Sequence, residues 1–160
     1  MLFLREEDVK RLLPMGEAIE AVESSFQALA GREASNQPRR RLFLPTGSVL
    51  HQMAGWWRGY YGTKVYATNV KGGGLAFHVL LYDAATAEPL AMIEANTLGQ
   101  IRTGAATGAA TRLLAPAGAV SVGMIGTGFQ AWTQLEAVAA VRQVTQARIW
   151  SRSEDKRARF

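Results

Sequence analysis

A glycine-rich turn at residues 126–131 is the sequence feature that points most directly to chemistry. It reads Gly126-Thr-Gly-Phe-Gln-Ala131, fits the pattern G-x-G-x-x-A, and lies between an apolar run and a helical pattern. In such a turn the first glycine permits a tight bend and the second lets the backbone approach a pyrophosphate. The small third residue lets helix and strand pack closely. The intact fold is predicted to bind a dinucleotide through Gly126, Thr127, Gly128, Gln130 and Ala131; the alternative is a purely structural turn.

The residues after the next predicted strand indicate which dinucleotide is bound. Proteins that use NAD usually place Asp or Glu there to bind the ribose 2′-hydroxyl. Here Trp150 is followed by Ser151, Arg152 and Ser153. An arginine can pair with a 2′-phosphate, and both serines can donate hydrogen bonds to it. The sequence therefore predicts NADP(H) rather than NAD(H); the alternative is that Arg152 stacks on an adenine or faces solvent.

Three separated basic sites earlier in the chain could bind a small anion. Arg39 and Arg41 are two residues apart, so they share one face of a predicted strand, with Arg40 on the other. Lys64 lies in another predicted strand. Arg102 lies in the first turns of a predicted helix, where the helix dipole disfavours a cation and suggests a nearby anion. The alternative is that each is a solvated side chain extending from an apolar surface.

Histidines and aromatic residues are assigned structural roles. His51 and His78 alternate with apolar neighbours, and the run Trp56-Trp57, Tyr60-Tyr61 is predicted to lie in the core or an interface. Two histidines make a histidine-based metal site improbable, and a chain without cysteine has no disulfide, thiol nucleophile or Cys-ligated metal. We therefore expect no metal, and no residues form a convincing catalytic triad.

Composition and charge narrow the class of protein. The chain has 160 residues, of which 48% are hydrophobic, so it is globular. It contains neither an apolar run near the roughly 20 residues of a membrane helix nor a signal-peptide pattern, so a cytoplasmic enzyme is expected. Its net charge of +5 comes partly from a cluster inside a strand pattern and partly from residues mixed with acids. Small anionic ligands explain that charge better than nucleic acid or a membrane.

Hydrophobic periodicity and turn residues predict an α/β fold in two parts. Two helices precede a mostly antiparallel sheet with a break at 71–74. A long helix capped by Asn96 or Thr97 follows, and its small residues at 104–110 let another element approach closely. The predicted ranges are helices 6–13, 14–31, 96–114 and 129–141, strands 41–45, 48–53, 60–70, 75–82, 88–94, 119–125 and 147–150, and domains 1–116 and 117–160.

The whole chain resembles the ornithine cyclodeaminase/μ-crystallin family. The most specific match is Leu98-Gly-Gln-Ile-Arg-Thr-Gly-Ala-Ala106, followed 20 residues later by the glycine turn. The other matching segments are 38–45, 51–53, 62–65 and 81–83, which read PRRRLFLP, HQM, GTKV and LYD.

The resemblance implies a homodimer whose first, α+β domain binds substrate and builds the dimer interface, and whose second is a Rossmann domain. Family members act with a nicotinamide cofactor at the α-carbon of an amino or imino acid. Among their activities, an imine reductase (including ketimine reductase) or amino-acid dehydrogenase is favoured over the lyase activity of an ornithine cyclodeaminase. That ranking rests on the Ser151-Arg-Ser153 sequence. The alternatives are a non-catalytic, crystallin-like NADP(H)-binding protein or an inactive fragment.

The resemblance also implies roles for single residues. Lys64 and Arg102 would hold the substrate carboxylate beside an arginine of the 39–41 cluster, with Arg41 favoured over Arg39. Lys64 would also polarise or protonate the reacting centre, and Thr103 would lie near the cofactor phosphates. Family members are about twice as long, so the chain resembles an N-terminal half without the catalytic acid. Alone, it is expected to show little activity and an exposed sheet edge and apolar face.

Overall fold

The computed structural model describes residues 1–69, 71–72 and 75–160. These described residues divide into two compact units, the first made of Met1–Leu12 with Ser24–Gly99 and the second of Leu13–Glu23 with Gln100–Phe160. The predicted strand end at Val70 and part of the predicted break, Gly73 and Gly74, lie outside the described residues. The division into domains 1–116 and 117–160 stays a prediction.

A mixed sheet builds the first unit. Among the described residues it has seven strands in the order β1-β7-β6-β5-β4-β2, with β3 also paired to β4. All neighbours are antiparallel except β1 and β7, which run parallel. The mostly antiparallel sheet is therefore confirmed, whereas β1 and β2 were not predicted. The elements are β1 Leu2–Leu4, α1 Glu6–Leu12, β2 Ala34–Asn36, β3 Arg40–Phe43, β4 Ser48–Trp57, β5 Tyr60–Asn69, β6 Phe77–Asp83 and β7 Pro89–Glu94.

A tight hairpin fixes the register at the centre of this sheet. Trp57 of β4 pairs with Tyr60 of β5, which leaves a two-residue loop of Arg58 and Gly59. Both loop residues have positive φ, 49° and 76°. Two positive φ angles match the twist of the flanking strands, as type I′ hairpins do. This register places Lys64 opposite Met53 on one side and Val79 on the other.

Two long helices connect the units along the chain, α2 from Met15 to Ala30 and α3 from Asn96 to Leu114. The N-terminus of α3 is capped by Glu6, not by the side chain of Asn96 or Thr97 as predicted. The Asn96 and Thr97 N–H groups donate to Glu6 Oε1 and Oε2, each at 2.7 Å. Burial opposes ionisation of Glu6, but hydrogen bonds from Thr97 and Asn96 outweigh it and hold the pKa of Glu6 below its ordinary value. A carboxylate at a helix N-terminus also complements the helix dipole.

The second unit contains the predicted β-α-β arrangement. The parallel strands β8 (Ala119–Ile125) and β9 (Gln143–Trp150) flank helix α4 (Ala131–Val141), and α5 (Glu154–Arg159) follows. Helix α4 starts two residues later than predicted, β9 starts four residues earlier, and α5 was not predicted. The apolar residues at the strand ends are exposed, Ile125 by 86% and Trp150 by 58%. The hydrophobic core of this unit is formed by residues of α2, α3 and α4, namely Met15, Ala18, Ile19, Ile101, Ala105, Ala109 and Ala137.

Arg142 binds the C-terminal end of α3. Its Nη2 donates to the carbonyl oxygens of Thr111 and Ala115 at 3.0 Å each, and its Nε donates to Pro116 O at 2.9 Å. The last carbonyls of a helix have no partner within it, and a cation there complements the dipole. The guanidinium therefore supplies the missing donors.

Among the described residues, no helix is both long and apolar enough to cross a bilayer.

Replacing Arg142 with methionine is expected to lower the free energy of unfolding by roughly 2 kcal/mol, because several carbonyls lose a charged donor. Urea denaturation followed by circular dichroism measures this. Arg148→Met is the matched control, because Arg148 is exposed on β9. Equal losses in the two variants would show that the contacts at the end of α3 add nothing specific.

Candidate active site

Arg41, His51, Tyr66 and Lys64 lie on one face of the first unit's sheet. In the ladder, Arg41 of β3 is opposite His51 of β4, and His51 is opposite Tyr66 of β5. Residues directly opposite each other share a face, as do residues two apart on one strand, so Lys64 lies on this face too. Arg39 precedes β3, which begins at Arg40. The structure thus brings Arg41 and Lys64 to the same surface.

The Lys64 side chain is held among aromatic rings. Its Nζ lies 4.4 Å from the ring centroid of Phe77 and 5.6 Å from that of Tyr66. A cation over an aromatic face is stabilised by the ring quadrupole. Gly99, in the first turn of α3, lies beside the ammonium, since a Cβ built there would be in ordinary van der Waals contact with Lys64 Nζ, at 3.9 Å. Lys64 is therefore a half-buried cation that lies beside two aromatic rings.

His51 is packed within this face. Its ring stacks on Tyr66 with centroids 4.4 Å apart, and its Nε2 lies 2.9 Å from Thr68 Oγ1. Burial, and then the charges of Arg41 and Arg39, hold the pKa of His51 below its ordinary value. Among the described residues, its buried Nδ1 has no hydrogen-bond partner. The sequence predicts a structural role for His51; that His51 shares a face with Arg41 and Lys64 follows from the register of β3, β4 and β5.

The two glycines of the turn at 126–128 differ in backbone conformation and surroundings. Gly126 has φ of 109°, which strains any other residue, and its N–H donates to Trp150 O at 2.7 Å. Gly128 does not have a positive φ, and a Cβ built on it meets no described atom within 4 Å. The described polypeptide therefore does not itself exclude a side chain at 128. The open space beside this backbone is what a closely approaching pyrophosphate needs.

A cavity of about 410 Å³ lies at the carboxyl ends of β8 and β9. Ligands of open α/β sheets bind at this end of the strands. Gln130 and Ala131 line a neighbouring cavity of about 450 Å³, which Gly126 and Gly128 also line. The predicted cofactor residues that line the first cavity are Gly126, Thr127, Gly128, Ser151, Arg152 and Ser153.

The hydroxyl groups in the first cavity bond to one another. Thr127 Oγ1 donates to Ser151 Oγ at 3.1 Å, and Ser151 Oγ donates to Ser153 O at 3.2 Å. A hydroxyl has one proton to donate, so Ser151 uses its proton within the loop, unlike the predicted donation to a phosphate. Ser153 Oγ accepts from the Lys156 N–H at 3.3 Å and caps α5.

Arg102 and Thr103 lie on α3 in the second unit, whereas Arg41 and Lys64 belong to the first. Arg102 is exposed and Thr103 is half-buried. Within the described part of the chain, no three His, Asp or Glu side chains are grouped as metal ligands.

The second unit has two parallel strands, which are connected through the glycine turn and helix α4. This β-α-β arrangement defines an α/β protein with the fold of dinucleotide-binding domains. Residues 1–160 match the ornithine cyclodeaminase/mu-crystallin family, and the chain belongs to that family. The family resemblance and the α/β fold class inferred from the sequence are thus confirmed.

Its relatives are dehydrogenases and reductases of amino and imino acids. Alanine dehydrogenase from Archaeoglobus fulgidus is 32% identical, over 99% of this chain and 51% of its own length. Iminosuccinate reductase from Paracoccus denitrificans is 30% identical, over 94% of this chain and 50% of its own. The structure of Thermococcus litoralis Δ1-pyrroline-2-carboxylate reductase with NADH and L-proline superposes with a TM-score of 0.89 at 30% identity, covering 99% of this chain and 52% of that one. The chain spans about half the length of these relatives.

Proposed function

We propose that the whole protein is an NAD(P)-dependent enzyme that acts at the α-carbon of an amino or imino acid, as an imine reductase or amino-acid dehydrogenase. The observation that carries this proposal is the ammonium of Lys64, held over Phe77 on the same sheet face as Arg41. The names of the relatives support the same class of substrate. We also propose that the whole protein is a homodimer and that it acts in the cytoplasm.

In this proposal the cationic residues orient the substrate. Arg41 and Lys64 hold the carboxylate, and Arg41 is favoured over Arg39 because it lies within β3, directly opposite His51. An arginine can grip a carboxylate with two parallel hydrogen bonds, and a fixed carboxylate places the α-carbon in one position. Lys64 also donates a hydrogen bond or a proton to the substrate nitrogen. The nicotinamide, when bound, supplies or accepts the hydride.

The cofactor is assigned to the second unit. Gly126, Thr127 and Gly128 face the pyrophosphate, with Gln130 and Ala131 at the start of α4, and Thr103 lies near the phosphates. The space beside Gly128 fits a pyrophosphate. Arg152, which is exposed in the cavity at the strand ends, faces the adenosine ribose.

Gly128→Ala separates a cofactor site from a purely structural turn. The Cβ has open space in the ligand-free protein, so the midpoint of urea unfolding is expected to change little. The same Cβ occupies the space a pyrophosphate needs, so the dinucleotide Kd is expected to rise about tenfold or more. Fluorescence titration with NADPH measures the Kd, and Gly16→Ala in α2 is the control, because a Cβ there is also unopposed and Gly16 lines neither cavity. Unchanged binding in Gly128→Ala would contradict the assignment.

The preference for NADP(H) is tested by comparing the Kd values of NADPH and NADH on the whole protein. Arg152 lines the cavity, and NADPH is expected to bind about tenfold more tightly, since a charged hydrogen bond to the 2′-phosphate is worth on the order of 1.5–3 kcal/mol. The T. litoralis relative was solved with NADH. Tighter binding of NADH here would overturn the preference.

The reaction class is tested by two assays on the whole protein. Oxidation of NADPH with cyclic imino acids is expected, and release of ammonia from ornithine is not. The reverse pattern would favour a cyclodeaminase. If both activities are absent while dinucleotide binding is intact, reduction of NADP⁺ with alanine would indicate an amino-acid dehydrogenase, and its absence would favour the crystallin-like alternative.

A further inference from the structure

Lys156 faces the same cavity as Arg152. It lies in α5, and its N–H donates to Ser153 Oγ at 3.3 Å, which anchors the first turn of that helix to the end of β9. Both residues line the cavity at the strand ends, together with the glycine turn, and both are exposed. The residues are four apart in sequence, yet the turn and the helix start bring them to one surface.

Among the described residues that line the cavity, Arg152 and Lys156 are the charged hydrogen-bond donors. Arg157 contacts the loop itself, donating from Nη1 to Ser151 O and from its N–H to Ser153 O. The hydroxyl of Thr127 donates to Ser151 Oγ, and the hydroxyl of Ser151 donates to Ser153 O. Glu154 and Asp155 are exposed on α5, and among the described residues lining the cavity there is no carboxylate.

We propose that Lys156, together with Arg152, binds the 2′-phosphate of NADP(H) and is a specificity-determining residue; this rests on the dinucleotide site proposed above. A phosphate monoester carries close to two negative charges at pH 7. Two cations without a neighbouring carboxylate in the lining match that charge, whereas the neutral 2′-hydroxyl of NAD(H) does not. Lysine contributes a point charge and arginine a planar, bidentate donor, so the two can share one phosphate.

Lys156→Gln tests this inference, because glutamine keeps much of the side-chain length and the helix propensity but loses the charge. The Kd values of NADPH and NADH are measured on the whole protein, with 2′,5′-ADP and 5′-AMP as competing probes. The Kd of NADPH and of 2′,5′-ADP is expected to rise about tenfold, while that of NADH and 5′-AMP stays the same. Lys156→Arg is expected to retain most of the preference. Arg159→Gln is the matched control, since it removes the same charge from the same helix outside the cavity lining.

The outcomes separate the failure of this inference from that of the proposed function. If the unmodified protein prefers NADPH but Lys156→Gln weakens both dinucleotides equally, or weakens neither, the role of Lys156 is overturned and the cofactor site stands. If Arg159→Gln weakens NADPH as much as Lys156→Gln does, diffuse charge explains the effect and the inference also fails. If the unmodified protein binds neither dinucleotide, the proposed function fails.

Discussion

Replacing Lys64 with methionine is expected to lower kcat/KM of the whole protein by about a thousandfold. The variant loses a carboxylate partner and a proton donor together, and general acid catalysis alone typically contributes 10²–10⁴-fold. Methionine fills a similar volume against Phe77 and Tyr66, the rings that hold the ammonium. The fold of the first unit should therefore survive. The Kd of NADPH, whose proposed site lies in the other unit, is expected to stay the same.

Two further variants make the result specific. Lys10→Met removes the same charge from an exposed position on α1 and is expected to leave kcat/KM unchanged. Lys64→Arg keeps the charge but cannot present a compact ammonium beside Gly99, so its KM should recover more than its kcat. Turnover by Lys64→Met near that of the unmodified protein would remove Lys64 from the proposed mechanism. The crystallin-like alternative predicts no turnover in any of these proteins.

Most of the sheet could be predicted because its signals are local. The hairpins β3-β4 and β6-β7 join neighbouring stretches of chain, with alternating side chains and turn residues between them. Strand β1 has only three residues, and its partner β7 lies almost 90 residues further on. The cap of α3 by Glu6 likewise joins residues 90 positions apart. Pairings at such separations depend on the finished fold and leave no periodic signal in a single sequence.

In the candidate site too, some residues have a local signal in the sequence, whereas the placement of others depends on the folded chain. The glycine turn is a contiguous motif, so the structure places its predicted residues around one pair of cavities. Lys156, proposed above to bind the 2′-phosphate, was not singled out from the sequence because α5 was not predicted. A signal existed, since Ser153 is followed by Glu154 and Asp155, a typical N-cap with acids in the first turn. The face shared by Arg41, His51 and Lys64 depends on the register of three strands, which strand periodicity alone does not provide.

Replacing Gly104 with alanine is expected to lower the free energy of unfolding by about 3 kcal/mol, since overpacking a tight contact costs on this order. A Cβ built on Gly104 would lie 2.3 Å from the carbonyl oxygen of Thr133 and 2.8 Å from its carbonyl carbon. These are backbone atoms of α4, so no side-chain rotation relieves the clash and α3 must move away from α4. Gly104, one of the small residues predicted to permit close approach, thus serves the packing of these two helices. Urea denaturation followed by circular dichroism measures the loss.

Alanine is favoured over glycine within a helix by about 1 kcal/mol, so helix propensity alone would raise the free energy of unfolding of Gly104→Ala. A loss of stability in Gly104→Ala must therefore come from the contact with Thr133 and not from the helix itself. Gly16→Ala is the matched control: Gly16 lies in α2, and a Cβ there meets no described atom within 4 Å. That variant is expected to be as stable as the unmodified protein or slightly more so. If both substitutions stabilise the protein equally, α3 and α4 do not pack at the separation described, and the small residues of α3 need another explanation.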